Sequence, residues 1–278
     1  MTVLEAFQNG ERILLANGIE DTAFDCGCLF EAACGYAHAA RIAHAHDVLE
    51  PEAEIQFFSY IRRRASGEPL QYILGKWTFC GREFQVGKGV LIPRPETEEL
   101  AEHASRAVRE NGYAVVWDLC AGSGCLGLTL ALNVPDLQVV MLEKYDAALY
   151  FLNANQNMFG AQNAAIVQAD VLLPPPKGLP FPDMIVSNPP YVPAGEIDSL
   201  QSEVLCEPRT ALDGGADGLD FYRAIKELWL PCVRSGGRLW FECGDGQGEA
   251  IALLFSDCAR SRVHYDANHV DRFVEIHG

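Results

Sequence analysis

The stretch SNPPYVP, at residues 187–193, places an amide side chain and a tyrosine on either side of two prolines. It directly follows the apolar run DMIV, which predicts a strand. Two adjacent prolines cannot continue a central strand, because proline lacks the backbone N–H and has a fixed φ. Asn188 is therefore predicted to lie on a rigid corner at the end of a strand, with Tyr191 just beyond it.

Such a corner could hold a planar amino group in a reactive geometry. The side-chain oxygen of Asn188 and the carbonyl oxygen of Pro189 are acceptors for its two hydrogens, and Tyr191 could stack on the planar group. A fixed orientation lowers a reaction barrier when the reacting atoms are held about 3–3.5 Å apart. The alternative is a plain turn that ends the strand and takes no part in chemistry.

A second stretch, DLCAGSGCLGLTLAL, is typical of a loop that binds a nucleotide-type cofactor. A strand ends near Asp118, and Gly122 and Gly124 open a helix whose first N–H groups would face a ligand. Gly127 completes the G-x-G-x-x-G pattern, which alone is weak support. Glu143, nineteen residues after Gly124, ends the next predicted strand, where its carboxylate can accept both hydroxyls of a ribose. The alternative is an ordinary strand-to-helix turn with a surface glutamate.

NAD and S-adenosylmethionine both fit the glycine loop and Glu143, and the proline corner decides between them. A hydride-transfer enzyme has no use for Asn-Pro-Pro-Tyr after the fourth strand, whereas an enzyme that methylates an amino nitrogen does. The sequence therefore favours S-adenosylmethionine as the cofactor. The ten cysteines contain no CxxC pair, so we expect reduced thiols and no metal.

The elements that position these residues follow from the hydropathy pattern. Residues 1–75 have apolar positions at helical spacing and predict a small all-helical domain, and residues 76–92 predict a β-hairpin linker. Over residues 93–278 seven strands are predicted, at AVVWDL, QVVML, AIVQ, DMIVS, RLWFE, RVHYD and RFVEI, the first five separated by helical segments. This alternation indicates a doubly wound α/β domain with a parallel sheet and a terminal antiparallel hairpin.

The formal net charge of −17 argues against binding to a phosphate backbone, which depends on Lys and Arg. Residues 1–75 share this acidic character, with five Arg against eleven Asp and Glu. The N-terminus lacks the continuous apolar segment of a signal peptide, and no run of about 18 apolar residues suggests a membrane span. We therefore expect a soluble, cytoplasmic protein with neither nucleic acid nor a membrane as its partner.

Several motifs occur together in one order along the chain: IPRPETE, then SNPPY, then EPRTAL followed by DGL. They are accompanied by RRRASGEPLQYILGKWTFCGREF, DLCAGSGCLGLTLA and FECGDGQGEAI. NPPY alone is shared by amino-methyltransferases that act on adenine, guanine or glutamine. The full set of motifs is much more specific and points to one family. On these motifs the chain resembles the release-factor glutamine methyltransferases, the HemK/PrmC family, over nearly its whole length.

The resemblance implies methyl transfer from S-adenosylmethionine to the side-chain amide nitrogen of the glutamine in the Gly-Gly-Gln motif of class 1 peptide chain release factors. It implies a seven-stranded Rossmann-like methyltransferase sheet in residues 93–278 and recognition of the release factor by the helical residues 1–75. We expect the enzyme to be a monomer and the displacement of the methyl group to be direct, with no side chain required as a base.

The resemblance also assigns roles to individual residues. Asn188, Pro189 and Tyr191 would be catalytic, and with Pro190 they would form the glutamine pocket. The residues expected to bind the cofactor are Cys120, Ala121, Gly122, Ser123, Gly124, Glu143, Asp170, Val171 and Asn188. Glu143 would contact the ribose, and Asp170 would lie near the adenine.

Three positions depart from the pattern of the family. Relatives often have Gly and Thr where Cys120 and Ala121 stand, and Ala121 is expected to donate its backbone N–H to the cofactor all the same. Some relatives have an aromatic residue where Val171 stands, which leaves an aromatic contact with the adenine open. Arg94 and Glu96 are equally compatible with a structural role and a substrate role, and Glu207 is expected to brace the loop over the pocket.

Two other functions are compatible with part of this pattern. One is an amino-methyltransferase of nucleic acids, acting on adenine or guanine, which shares NPPY but would need a basic recognition segment. The other is a binding module that keeps the fold without activity. That module would not need the glycines, Glu143 and Asn188 together.

Overall fold

The computed structural model describes residues 1–266 and 268–278. The chain forms two compact units: residues 1–76 with 201–206, and residues 77–200 with 207–278. The domain boundaries proposed from the sequence, at residues 75 and 93, remain predictions, and they did not anticipate the grouping of residues 201–206 with the first unit. No helix in the described ranges is both long and apolar enough to cross a bilayer.

The first unit is helical, which confirms the helical N-terminal region predicted from the spacing of apolar residues. Its α-helices are α1 (Val3–Ala16), α2 (Thr22–Cys34), α3 (His38–Ala43), α4 (Pro51–Ala65) and α5 (Leu70–Leu74). A capping box starts α1, because Thr2 and Glu5 each accept the other's backbone N–H. Buried Phe30 packs edge to face against Phe7 and Phe57, with ring centroids 5.8 and 4.8 Å away.

Two short strands, β1 (Lys76–Phe79) and β2 (Arg82–Gln85), pair as a hairpin. The turn residues Cys80 and Gly81 both have positive φ, 47° and 71°. Two positive φ values in a two-residue loop match the right-handed twist of the flanking strands. The region predicted as a β-hairpin linker therefore contains that hairpin.

The second unit contains a seven-stranded sheet of the predicted Rossmann-like type. Its strands are β3 (Val115–Leu119), β4 (Gln138–Glu143), β5 (Ala164–Gln168), β6 (Met184–Ser187), β7 (Arg238–Glu242), β8 (Arg260–Tyr265) and β9 (Asp271–His277). Its α-helices are α6 (Pro95–Asn111), α7 (Cys125–Asn133), α8 (Asp146–Phe159), α9 (Asp220–Ala224) and α10 (Gly248–Leu254), and a π-helical turn at Ile225–Trp229 extends α9. All seven strands predicted from the sequence are present.

The strand order is β5-β4-β3-β6-β7-β9-β8. The pairs β4–β5, β3–β4, β3–β6 and β6–β7 are parallel, whereas β9 is antiparallel to both β7 and β8. The chain leaves β3 toward β4 on one side and later returns to β6 on the other. Open sheets of this kind bind ligands at such a switch point, outside the carboxyl ends of the strands. Cys120, Glu143 and Asn188 stand at that edge, after or at the ends of β3, β4 and β6.

One expectation about the connections is wrong: the described residues 169–183, between β5 and β6, contain no helix. This connection includes LLPPPKGLPFP, in which five prolines cannot donate a helical hydrogen bond. The strand-and-helix alternation therefore holds only as far as β5 and resumes after β6.

The sheet is covered on both faces, as its nearly continuous apolar strands require. Val116 and Met141 belong to one buried cluster, with helices α6 and α7, and Trp117 and Val140 belong to the other, with Tyr222 and Trp229. Successive side chains of β3 and β4 thus alternate between the two cores. This double burial holds the carboxyl ends of the strands in place for the site described next.

Candidate active site

A cleft with about 960 Å³ of empty volume opens at the carboxyl ends of β3, β4 and β6. Nine of the predicted site residues line it: Cys120, Ala121, Gly122, Ser123, Glu143, Asp170, Val171, Asn188 and Pro190. Gly124, Pro189 and Tyr191 are not among the lining residues. The structure therefore brings the glycine loop and the proline corner, which are far apart in sequence, to one cleft.

The glycine loop connects β3 to the start of α7. Gly124 has a φ of 80°, and a Cβ there would come 2.3 Å from a Leu152 methyl carbon, so only glycine fits at this turn. A Cβ at Gly122 would meet only a Val90 carbon at 3.9 Å, so the backbone of Gly122 opens directly onto the cleft. Gly127 is needed for packing, because a Cβ there would lie 2.7 Å from an Asp118 oxygen.

Cys120 and Ala121, two of the three positions that depart from the family pattern, behave differently. Cys120 has a φ of 61°, a left-handed conformation that costs a side-chain-bearing residue about 1–2 kcal/mol. The N–H of Ala121 donates to the carbonyl of Leu142 over 3.0 Å. The expectation that this N–H serves the cofactor is therefore wrong: it ties the loop to β4, and Ala121 lines the cleft.

Glu143 is buried at the end of β4 and holds the loop in place. Its Oε2 accepts the N–H of Gly122 over 2.9 Å, and its Oε1 accepts those of Lys144 and Tyr145 over 2.8 and 2.9 Å. The carboxylate lines the cleft next to these donors, so it can also accept ligand hydroxyls. The contact of Glu143 with the ribose stays a prediction. The same side chain also holds the glycine loop in place through the N–H of Gly122.

Asp118 is a second carboxyl in the wall of the cleft, and it is fully buried. Burial raises the pKa of Asp118 to about 8, the N–H of Gly127 acts in the opposite direction, and the nearby Glu143 charge raises the pKa further. That N–H donates to Oδ2 of Asp118 over 2.9 Å. A positively charged ligand in the cleft would compensate this buried carboxyl.

Asp170 and Val171 form the opposite wall of the cleft, after β5. Asp170 pairs with the Lys144 ammonium at 2.8 Å and accepts the N–H of Leu172 over 3.0 Å. Val171 is buried, and its carbonyl accepts the indole N–H of Trp229 over 2.8 Å, which fixes the backbone here. Val171 thus supplies an apolar surface in place of an aromatic ring.

The proline corner follows β6 as predicted. The Ser187 hydroxyl donates to the Leu119 carbonyl over 2.6 Å and ties the end of β6 to β3. Asn188 is half-buried and faces the cleft, whereas Pro189 and Pro190 are buried. The Nδ2 of Asn188 donates to the Thr97 hydroxyl over 3.0 Å, so the amide presents its oxygen on the other side.

Two functional candidates, Thr97 and Glu242, received no role from the sequence. Thr97 lies in the first turn of α6 and lines the cleft, and Glu242 is buried at the end of β7. Both stand in stretches already singled out, IPRPETE and FECGDGQGEAI, but local spacing shows no relation between them. Their contact exists only because the sheet brings α6 beside β7.

Glu207 holds the loop before α6, and the expectation that it braces the loop over the pocket stays a prediction. It is buried, its Oε2 accepts the N–H of Ile92 over 2.9 Å, and its Oε1 accepts from the Arg94 guanidinium. Burial raises the pKa of Glu207 and the Arg94 charge opposes that shift. Arg94 also lines the cleft, so the ion pair places a cation at its edge.

Comparisons with known proteins show which family the chain belongs to. A family model described as PrmC N-terminal domain matches residues 5–75, and one described as Methyltransferase small domain matches residues 97–217. The release factor glutamine methyltransferase of Geobacter sulfurreducens is 39% identical over 267 residues, covering 94% of this chain and 91% of that protein. The release factor glutamine methyltransferase of Cereibacter sphaeroides is 36% identical over 278 residues, covering 99% and 98%.

Among solved structures, the hMettl16 catalytic domain in complex with the MAT2A 3′UTR hairpin 6 has a TM-score of 0.56 and 12% identity, covering 82% of this chain and 83% of that chain. At this low identity the likeness shows the fold alone. Because the identity to the two bacterial relatives is 36–39% over nearly the full length of each, the chain belongs to the release factor glutamine methyltransferase family.

Proposed function

We propose that this enzyme transfers a methyl group from S-adenosylmethionine to the side-chain amide nitrogen of the glutamine in the Gly-Gly-Gln motif of class 1 peptide chain release factors. The observation that carries the proposal is the position of Asn188, whose amide lines the same cleft as the glycine loop and donates its N–H to Thr97. That arrangement leaves an acceptor oxygen for a substrate amide. The two relatives compared above are release factor glutamine methyltransferases.

The residues present fit this cofactor. The backbone of Gly122 opens onto the cleft, and the carboxyls of Asp118 and Glu143 suit a ligand that carries positive charge and ribose hydroxyls. Asp170 and Val171 would hold the adenine end. Bound S-adenosylmethionine supplies an electrophilic methyl group on a sulfonium.

The residues of this chain would act by orientation. The Asn188 oxygen and the Pro189 carbonyl would accept the two hydrogens of the substrate amide and hold its nitrogen toward the methyl group. Tyr191 would pack beside the planar amide, and its hydroxyl contacts the Glu242 carboxyl at 3.5 Å. An amide nitrogen is a weak nucleophile. The main contribution of Asn188, Pro189 and Tyr191 would therefore be to hold the substrate amide in a reactive geometry. The proton lost from nitrogen would pass to water.

The protein partner would be selected by surfaces outside the cleft, because one glutamine side chain offers little to distinguish it from others. The helical residues 1–75, with five Arg against eleven Asp and Glu, are the proposed contact. Release factors work in an RNA-lined centre and are expected to be basic near the Gly-Gly-Gln loop. An acidic enzyme would associate faster at low salt. A cytoplasmic, monomeric enzyme is part of the same proposal.

The test is transfer of labelled methyl from S-adenosylmethionine to an intact release factor. We expect labelling that is lost when the loop glutamine is changed and that weakens as salt is raised. Asn188→Ala should bind the cofactor normally but lose turnover by about a hundredfold or more, whereas Asn153→Ala, at an exposed position of α8, should keep wild-type turnover.

A nucleic-acid substrate is tested in the same assay with DNA and RNA in place of the release factor. Labelled nucleic acid together with an unlabelled release factor would overturn the proposed function. Full turnover by Asn188→Ala would remove the proline corner from the mechanism.

A further inference from the structure

A chain of hydrogen bonds runs from a buried carboxyl to the amide of Asn188. The Thr97 hydroxyl donates to Oε2 of Glu242 over 2.7 Å, and Nδ2 of Asn188 donates to the Thr97 oxygen over 3.0 Å. Thr97 is 3% exposed and Glu242 is 1% exposed, so water does not compete for these bonds. The second oxygen of Glu242 contacts the Tyr191 hydroxyl at 3.5 Å. One buried carboxyl is therefore linked to two residues of the proposed glutamine pocket, to Asn188 through Thr97 and to Tyr191 directly.

The direction of this chain follows from which groups can donate. An ionised carboxylate only accepts, so the single hydrogen of the Thr97 hydroxyl is committed to Glu242. The Thr97 oxygen then has only lone pairs to offer Asn188, and the NH2 group of Asn188 must face it. The Asn188 oxygen is thereby turned to the other side of the amide, where a substrate N–H can donate to it.

The reverse direction would disable the pocket. A protonated Glu242 can donate to the Thr97 oxygen, and the Thr97 hydroxyl is then free to donate to Asn188. The amide of Asn188 would flip, because its oxygen would be the better partner for that hydroxyl. Its NH2 group would then meet the NH2 group of the substrate, donor against donor.

We propose that Thr97 and Glu242 are positioning residues that fix the amide of Asn188 with its oxygen toward the substrate amide. The proposal rests on the proposed function, since it assumes that Asn188 accepts a hydrogen bond from the glutamine. It assigns to α6 and β7 a task in the reaction that neither the glycine loop nor the proline corner performs.

The surroundings of Glu242 make its charge state sensitive to pH near neutrality. Burial raises the pKa of Glu242 to about 7, whereas the hydroxyl of Thr97 acts in the opposite direction. The charged and titratable groups that interact electrostatically with it are Arg94, Glu96, Cys125, Tyr191, Tyr222, Cys243 and Arg272. Glu96 opposes ionisation and the two arginines favour it. Turnover by the wild type should therefore rise with pH through about 7, as Glu242 ionises.

The experiment measures kcat, KM for the release factor and cofactor affinity for Thr97→Val, Thr97→Ser and the wild type between pH 5.5 and 8.5, with melting temperature as the check on folding. Thr97→Val keeps the shape and removes the hydroxyl. We expect its kcat at pH 8 to fall by about 10- to 100-fold with cofactor affinity unchanged, and its rise of kcat through pH 7 to disappear. Thr97→Ser restores the hydroxyl and should regain both the turnover and the pH profile.

Glu242→Gln provides the second variant, in case Thr97→Val does not fold. A glutamine amide can donate to Thr97 or accept from it. The direction of the hydrogen bonds from residue 242 through Thr97 to Asn188 is then no longer fixed. We expect low kcat without the rise through pH 7. Wild-type kcat and an unchanged pH profile in Thr97→Val, or in Glu242→Gln if only that variant folds, would overturn the proposal.

Asn188→Ala, measured in parallel, separates this inference from the proposed function. If Asn188→Ala is inactive while Thr97→Val matches the wild type, only the positioning role fails. If Asn188→Ala keeps full turnover on the release factor, the acceptor role of Asn188 fails, and the positioning role fails with it.

Discussion

Glu143 shows how one side chain at the residue scale serves both the loop and the ligand. Its two oxygens accept three backbone N–H groups, from Gly122, Lys144 and Tyr145. Hydrogen bonds to a charged acceptor are each worth about 1.5–3 kcal/mol net. The loop that faces the cofactor is therefore positioned by the same carboxylate that is proposed to bind the ribose. A substitution at Glu143 removes both contributions.

Glu143→Gln is predicted to bind the cofactor at least about tenfold more weakly, although the two side chains have nearly the same shape. Whichever way the glutamine amide turns, its NH2 group faces a backbone N–H that needs an acceptor. The melting temperature should fall as well. Glu249→Gln, at an exposed position in α10, is the matched control. Calorimetric titration with S-adenosylmethionine measures the cofactor affinity of both variants. Equal affinity in the two would contradict this account of Glu143.

At the scale of elements, the segment that follows the proline corner is held by the loop at residues 212–218. Val192 donates to the Leu212 carbonyl and accepts the N–H of Gly214, both over 2.9 Å. Gln247, just before α10, donates to the Tyr191 carbonyl over 2.9 Å. The corner is thus fixed from its carboxyl side by two further parts of the chain, which reduces the freedom that substrate binding would have to freeze.

Gly218 is the residue through which this loop lies against the Tyr191 carbonyl. It has a φ of 77°, and a Cβ there would lie 2.2 Å from the Tyr191 carbonyl oxygen. Gly218→Ala is therefore predicted to displace the corner and to lower kcat by about 10- to 100-fold, with little change in cofactor affinity. Gly178→Ala is the control, since its φ is 89° but a Cβ would meet nothing within 4 Å. Both variants should lose stability from the positive φ, and comparable kcat values in the two would contradict the prediction.

At the scale of the whole molecule, two buried carboxyls lower the stability of the unliganded protein as the pH rises. Burial raises the pKa of Asp118 from about 3.8 to about 8 and that of Glu242 from 4.5 to about 7. The native state therefore keeps protons that the unfolded chain has already released. The free energy of unfolding must fall between about pH 4 and 8 from these two groups and level off above that window.

Asp118→Asn removes the larger of the two effects. Relative to the wild type, its free energy of unfolding should increase by at most about 4 kcal/mol between pH 5 and 8, at about 1.4 kcal/mol per pH unit, so the variant becomes the more stable of the two as the pH rises. Denaturant unfolding without cofactor at pH 5, 6, 7 and 8 measures this difference. Asp136→Asn, at an exposed position, should show no such trend. A constant difference between Asp118→Asn and the wild type would show that Asp118 does not hold a proton at neutral pH.

The sequence by itself determined the features that depend on neighbours along the chain. Runs of apolar residues indicated the five parallel strands, β3 to β7, because a buried parallel strand needs little beyond its own composition. The glycine loop and the proline corner were predicted because glycines let the backbone approach a ligand closely and Pro189-Pro190 cannot extend a strand. The helix expected between β5 and β6 was wrong, since five prolines in that connection outweigh the alternation around it.

Only the tertiary structure decided how these features meet. Thr97 bonds to Asn188 across 91 positions and to Glu242 across 145, and no local period relates such distant residues. The order β3-β6-β7 brings them together, because parallel strands end at the same edge of the sheet and α6 packs against β7. The burial that follows determines the direction of the hydrogen bonds and raises the pKa values of Asp118 and Glu242, since a charge without water depends on whatever the fold places beside it.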